Sequence, residues 1–176
     1  MKMIDHILDR RSIRRYSDQK IDDKTIKTIL TAAMYAPSAV NLQPWHFVVI
    51  DQWPIMERIM EIHPHARMLR TASHAVVVCG DLELQHDDGY WVVDCGAATQ
   101  NLLLAAHALG LGSCWVGIHP REERKIAFSR LLSLPSHVLP FALVALGYPE
   151  EQKARPERFH PDKVKHNGWD TSFFQE

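Results

Sequence analysis

The sequence predicts one domain that mixes helices and strands without a regular βαβ alternation. Three observations carry this. The chain has 176 residues, enough to bury a full core in a single unit. Apolar residues make up 46% and charged residues 23%, ordinary values for a globular protein. Short β-branched runs ("WHFVVI", "HAVVVCGD", "VLPFALVALG") are interspersed irregularly with segments of helical period. No internal repeat or low-complexity tract breaks the chain, so residues 1–176 are expected to form one domain.

The elements follow in order. "MIDHILDR" is an amphipathic helix with Met3, Ile4, Ile7 and Leu8 on one face. "DDKTIKTILTAAMYAP" opens with acids that suit a helix N-terminus. It repeats Ile26, Ile29, Leu30 and Ala33 at i, i+3, i+4, i+7 and stops before Pro37. "PSAVNLQP" is a loop by composition. "WHFVVID" is a strand, and "PIMERIME" is a short helix with Pro54 in its first turn. "HPHARMLRT" has no clear period. "HAVVVCGD" is a buried strand. "DDGYWVVDCGAATQNLLLAAHALGLG" is a long helix that is apolar on most sides and ends at Gly110 or Gly112. Asp94, Gln100, Asn101 and His107 interrupt it and make it a core helix rather than a membrane span. "SCWVGI" is a strand, "REERKIAFSRLL" a helix, and "VLPFALVALGYP" a strand. Pro140 in that last strand implies an edge position or a bulge. From Glu150 the chain turns polar and aperiodic, a tail that must pack on something or move.

Charge and cysteines exclude several functions. The net charge of −1 argues against nucleic acid or an acidic membrane surface as partner. Three cysteines (Cys79, Cys95, Cys114), none in a C-x-x-C pair, do not make a disulfide framework or a zinc ribbon. Reduced, buried thiols and a cytoplasmic location are expected, and no secretory signal opens the chain. "HPH" (His63, His65) and "ELQH" (Glu83, His86) lack the converging ligands of a metal centre, so no metal is expected. There is no G-x-G-x-x-G after the first strand and no P-loop.

Against that neutral background "RRSIRRY" stands out, with Arg10, Arg11, Arg14 and Arg15 within six positions. It is either a solvated basic turn or a local anion site. Two other clusters could share a ligand with it. "APSAVNLQPW" offers Ser38, Asn41 and Gln43, whose amides and hydroxyl suit the edge of a heterocycle. "GYPEEQKARPERF" holds a second basic knot, Lys153, Arg155 and Arg158, and arginine grips phosphate bidentately.

These segments, with "AAMYAPSAVNLQPWHFVVI" and "DCGAATQNLLLAAHALGLGSCWVGI", resemble the FMN-dependent nitroreductase family over nearly the whole chain. The resemblance implies an α+β nitroreductase-like fold with a central mixed β-sheet flanked by helices. The long helix would lie at the heart of an intertwined homodimer, with residues 150–176 packed on the partner. FMN would bind at each end of the subunit interface. Arg10 and Ser12 would serve its phosphate and ribityl end, with Arg11 beside them. Arg14, and Arg67 with it, would stand near the pyrimidine edge of the ring. Ser38, Ala39, Asn41 and Gln43 would come from the other subunit. Val116 and Gly117 would present backbone N–H to flavin N5, and Lys153 and Arg155 would hold the phosphate. The implied activity is hydride transfer from NAD(P)H to the flavin and then to a small acceptor such as a nitroaromatic or quinone. Arg14 and Gly117 would tune the flavin, and no side chain would serve as a dedicated acid or base. A flavin-binding sensor, or a flavin-consuming or dehalogenating branch of the same superfamily, are the alternatives. Tyr90 and Trp91 would either pack in the core or line a substrate pocket.

Overall fold

The computed structural model describes residues 2–87 and 89–174. Among these residues five helices and four strands follow in order: α1 (Met3–Asp9), α2 (Asp23–Met34), β1 (Trp45–Ile50), α3 (Trp53–Ile62), β2 (His74–Asp81), α4 (Tyr90–Ala108), β3 (Gly112–Gly117), α5 (Glu122–Leu131) and β4 (Val138–Gly147). Single 3-10 turns form at Ala39–Asn41, Arg67–Arg70 and Pro161–Lys163. Asp22 caps α2, its carboxylate accepting from the Thr25 N–H at 2.8 Å.

The strands pair in the order β1-β2-β4-β3, each ladder antiparallel. The mixed character expected of the sheet is therefore confined to one isolated parallel bridge among the described residues, between Ser12 and Ser113. The inner strands β2 and β4 alternate their side chains between two cores. Ala75, Val77, Cys79, Leu143 and Ala145 join α3 and α5 on one face. Val76, Val78, Ala142, Val144 and Leu146 join α2 and α4 on the other. Both faces are covered, which is why these strands read as unbroken apolar runs.

Pro140 lies in an inner strand, so the edge alternative is overturned and the bulge alternative stands. The register slips between Val78 and Cys79, which pair with Ala142 and Pro140 and leave Phe141 opposite nothing on β2. The slip accommodates a residue that cannot donate to the ladder. The Phe141 carbonyl instead accepts from the Ile118 and His119 N–H groups, at 3.1 and 2.9 Å.

Helix α1 buries none of its residues. Its predicted apolar face is exposed in the single chain, with Met3 and Ile4 at 79% and 53%. Trp169, Phe159 and Phe173 of the tail are also exposed. No helix among the described residues is long and apolar enough to cross a membrane.

Candidate active site

The two basic knots, 141 residues apart in sequence, meet along the edge of β3. Residues 10–16 run beside that strand, the Ile13 N–H donating to the Ser113 carbonyl at 2.9 Å. The chain after β4 closes over them. Lys153 Nζ donates to the Ser12 carbonyl at 2.6 Å, and Arg11 Nε donates to the Ala154 carbonyl at 3.1 Å. The Arg14 N–H donates to Glu151 Oε1 at 2.5 Å. Arg155 forms a forked pair with Asp9, at 2.7 and 2.9 Å. That contact holds the Asp9 carboxyl below its ordinary range. Burial, with Arg11 and Arg158 alongside, pushes the Arg10 guanidinium below its own ordinary value, a setting that favours an anion nearby.

Two side chains fix this segment from below. Tyr16 is buried, and its hydroxyl donates to the Ile13 carbonyl at 2.5 Å. Ile13 and Tyr16 lie on Gly112 and Gly147, which face each other across the β3–β4 ladder. A Cβ at Gly112 would meet Ile13 at 2.8 Å, and one at Gly147 would meet Tyr16 at 2.7 Å. The glycines exist for this close approach.

A cleft of about 760 Å³ opens on the other side of the segment. Arg14, Arg67, Val116 and Gly117 line it together, so four of the expected ligand residues converge. The Gly117 carbonyl is held twice, by Arg124 Nη1 at 3.0 Å and by the buried His63 ring at 2.9 Å. The bonds of His63 fix its tautomer. Nε2–H donates to Gly117, and Nδ1 accepts from the His65 N–H at 3.2 Å. His63 is therefore neutral, and burial pushes its pKa down. Sequence reasoning considered His63 only as half of a metal pair. Its partner 54 residues away carries no sequence signal.

The loop 36–45 lies apart from this cleft in the single chain. None of Ser38, Ala39, Asn41 or Gln43 lines it. The loop is strained and tied down. Val40, Asn41 and Gln43 have φ of 50°, 57° and 51°, a region costly for a β-branched valine. Ser38 Oγ accepts from the Gln43 N–H at 2.9 Å, and Gln43 Nε2 donates to Asn41 Oδ1 at 3.0 Å. The anchor is Asp94 of α4, whose Oδ1 accepts from the Ala39 N–H at 3.0 Å while its buried Oδ2 has no partner among the described residues. Asn101 Nδ2 donates to the Ala32 carbonyl at 3.1 Å. Two of the four polar interruptions of the long helix, Asp94 and Asn101, are thus ties that hold this loop and α2. Asp94→Ala leaves the Ala39 N–H unpaired, and we expect about 1–3 kcal/mol of destabilisation in chemical unfolding. Asp94→Asn keeps an acceptor and should lose less; equal losses would show that the carboxylate has no anchoring role.

The remaining candidates resolve as follows. All three cysteines are free and buried. Burial pushes Cys79 up to about 12 and raises Cys95 and Cys114, so none is an activated thiol. Trp91 is buried, edge-on to His119 and Phe141, and its ring fills the space that Gly80 leaves open. Within this chain the core reading holds for Trp91, while Tyr90 is about half exposed. Among the described residues His63 and His65 belong to no group of three metal-ligating side chains. The one such trio among the described residues is Asp81, Glu83 and His137, at the far end of β2.

Burial also lowers His74, His107 and His119. Each of these imidazoles, like His63, binds its proton less readily folded than unfolded. Their stabilisation is complete above the unfolded value of about 6.5 and is lost as the pH falls below it towards the lowered folded values. The melting temperature should be level above neutrality and should drop as the pH goes from about 6.5 to 5. The carboxylates with lowered values, Asp9, Asp22 and Glu151, act only at more acid pH, below their unfolded values of about 4. A melting temperature unchanged down to pH 5 would contradict the histidine assignment.

Comparison with known proteins places this architecture. The model of the nitroreductase family matches residues 7–63 and 60–148. A Methanothermobacter thermautotrophicus protein, provisionally named NADH dehydrogenase/NAD(P)H nitroreductase, is 44% identical over 169 residues, covering 96% of this chain and 88% of its own. A solved structure from Parabacteroides distasonis with the same provisional name superposes with a TM-score of 0.91 at 35% identity, over 95% of this chain and 98% of that one. A structure from Desulfovibrio desulfuricans, provisionally named a nitroreductase and solved in complex with FMN, gives a TM-score of 0.84 at 31% identity, over 96% and 98%. With most of its length matched by the family model and its fold shared over 95% of the chain, this chain belongs to the nitroreductase family.

Proposed function

We propose that the protein is an FMN-dependent oxidoreductase that takes a hydride from NAD(P)H and passes it to a small acceptor, acting as a homodimer. The observation that carries this is the meeting of residues 10–14 with 153–155 beside β3, together with the cationic cleft that Arg14, Arg67, Val116 and Gly117 line along the same strand. The FMN-containing relative supports it.

The residues present fit the cofactor. Its phosphate is a dianion, and Arg10, Arg11, Ser12, Lys153 and Arg155 form a cationic cradle at one end of the segment. Arg14 and Arg67 line the cleft, and their guanidinium groups have no partner among the described residues. FMN, when bound, supplies the group that accepts and returns a hydride. The chain supplies the rest. Arg14 and Arg67 would place positive charge beside the pyrimidine edge of a bound flavin and so favour its reduced, anionic state. His63 and Arg124 fix the Gly117 peptide and with it the end of β3, so the backbone there needs no rearrangement during turnover.

The exposed apolar face of α1 and the distance of the Ser38–Gln43 loop from the cleft both support a second subunit that covers the one and donates the other. The test is anaerobic stopped-flow mixing of FMN-loaded protein with NADH and NADPH, with mass determination in solution. Rapid bleaching of the flavin band by a dimer is expected. A monomer with tightly bound FMN would refute the two-subunit site. A dimer whose flavin stays oxidised would favour a sensor role.

A further inference from the structure

The cleft carries more positive charge than the flavin ring accounts for. Arg14, Arg15, Arg67, Arg70, Arg121 and Arg124 all line it, and no aspartate or glutamate does. Only Arg124 among them engages its guanidinium within the described residues, at the Gly117 carbonyl. Three acids of neighbouring segments are occupied elsewhere. Glu122 pairs with Lys125 at 2.6 Å, Glu61 with Arg58, and Glu151 with Lys153 and the Arg14 N–H. Arg14 and Arg67 are assigned above to the flavin. Arg15, Arg70 and Arg121 remain, contributed by three different segments to one concavity.

Trp115 lies in the same cleft, 36% exposed, and is held edge-on to Phe141 with ring centroids 5.7 Å apart. A fixed aromatic face beside unpaired guanidinium forks recognises a planar group with an anionic substituent. Unpaired like charges in one cleft repel one another, and an anion relieves that repulsion where a neutral ligand does not.

We propose that Arg15, Arg70 and Arg121 select substrates that carry a phosphate or carboxylate. This rests on the oxidoreductase reading and names the substrate class of the same site. The anion has two sources: the ribose phosphate that distinguishes NADPH from NADH, or a carboxylate on the acceptor. The arginines exchange no proton; the hydride still leaves the dihydronicotinamide and ends, with a solvent proton, on the acceptor.

The experiment compares matched pairs on FMN-loaded enzyme. One arm measures kcat/KM for NADPH and NADH, and calorimetric binding of NADP+ and NAD+. The other measures kcat/KM for para-nitrobenzoate and its neutral counterpart para-nitrobenzamide. In at least one arm the anionic member should lead by about 10- to 100-fold, as one or two charge-assisted bonds provide. The lead should shrink with added salt and collapse in the R70Q/R121Q variant, while the neutral member is handled as before. Arg121→Lys, which keeps charge but loses the fork, should fall between. Both pairs within about two-fold, or a lead that survives R70Q/R121Q, overturns the proposal. If the protein retains no FMN, the oxidoreductase reading fails by itself. Calorimetry with inorganic pyrophosphate then still reads the cleft: binding that R70Q/R121Q abolishes supports the anion site, and no binding refutes it.

Discussion

Gly147→Ala should destabilise the protein and release its cofactor together. An added Cβ would stand 2.7–2.9 Å from three atoms of Tyr16, two of them in its ring and one its own Cβ. That part of the side chain cannot swing aside. Tyr16 is 2% exposed, bonded to Ile13 and bridged to Pro149. Overpacking of this kind costs about 1–3 kcal/mol. For a chain of this size that lowers the melting temperature by roughly 3–10 °C. The position of the strain matters more than its size. Tyr16 ends the segment that carries Arg10, Ser12 and Arg14, so a shift of its ring moves the whole cradle. Thermal melts and FMN titration of the variant should therefore change in concert. Gly96→Ala is the control. It sits in α4, its added methyl would only touch Phe141 at 3.9 Å, and alanine favours a helix. If Gly147→Ala melts and binds FMN like the parent, the close approach has no role in shaping the site.

This coupling shows which parts of the molecule are legible in sequence. Local patterns were. The period of Ile26, Ile29 and Ala33 places α2, and the buried runs place β2 and β4, because each element's apolar spacing is a property of neighbouring residues. Pro140 left two readings open because a missing donor suits an edge or a bulge equally, and only the partner strands decide. RRSIRRY and KAR were readable as two basic knots in a nearly neutral chain, but not the acids that engage them, Asp9 and Glu151. The supports were not. Asp94 looked like an interruption of an apolar helix, yet it holds Ala39 from 55 positions away. His63 looked like half a metal pair, yet it holds Gly117. Gly147 drew no notice inside its strand. Each acts through a partner distant in sequence, and one sequence contains no record of such pairings.

Lys153→Ala should cost more FMN affinity than any other single change in the cradle. Its ammonium already lies 2.6 Å from the Ser12 carbonyl and 3.3 Å from Glu151, between the two basic segments. A bound phosphate would take a charge-assisted bond from it, worth about 1.5–3 kcal/mol, so FMN should bind roughly 10- to 100-fold more weakly without it. Arg155 differs although it belongs to the same K-x-R sequence. Its Nε and Nη2 are committed to Asp9, with Asp5 at 3.7 Å from Nη2, and the pair is solvent-exposed. Arg155 must share or leave Asp9 to reach a phosphate, so Arg155→Ala should weaken FMN less than Lys153→Ala. Asp9→Asn removes the competitor and should tighten FMN binding. In the double variant Asp9→Asn with Arg155→Ala that gain should vanish, because the freed guanidinium is its source. Fluorescence titration of FMN with the four proteins gives the cycle. Additive effects would mean that Arg155 never reaches the phosphate and serves only to pin the tail to α1. Lys153 and Arg11 would then hold the phosphate from this side of the segment.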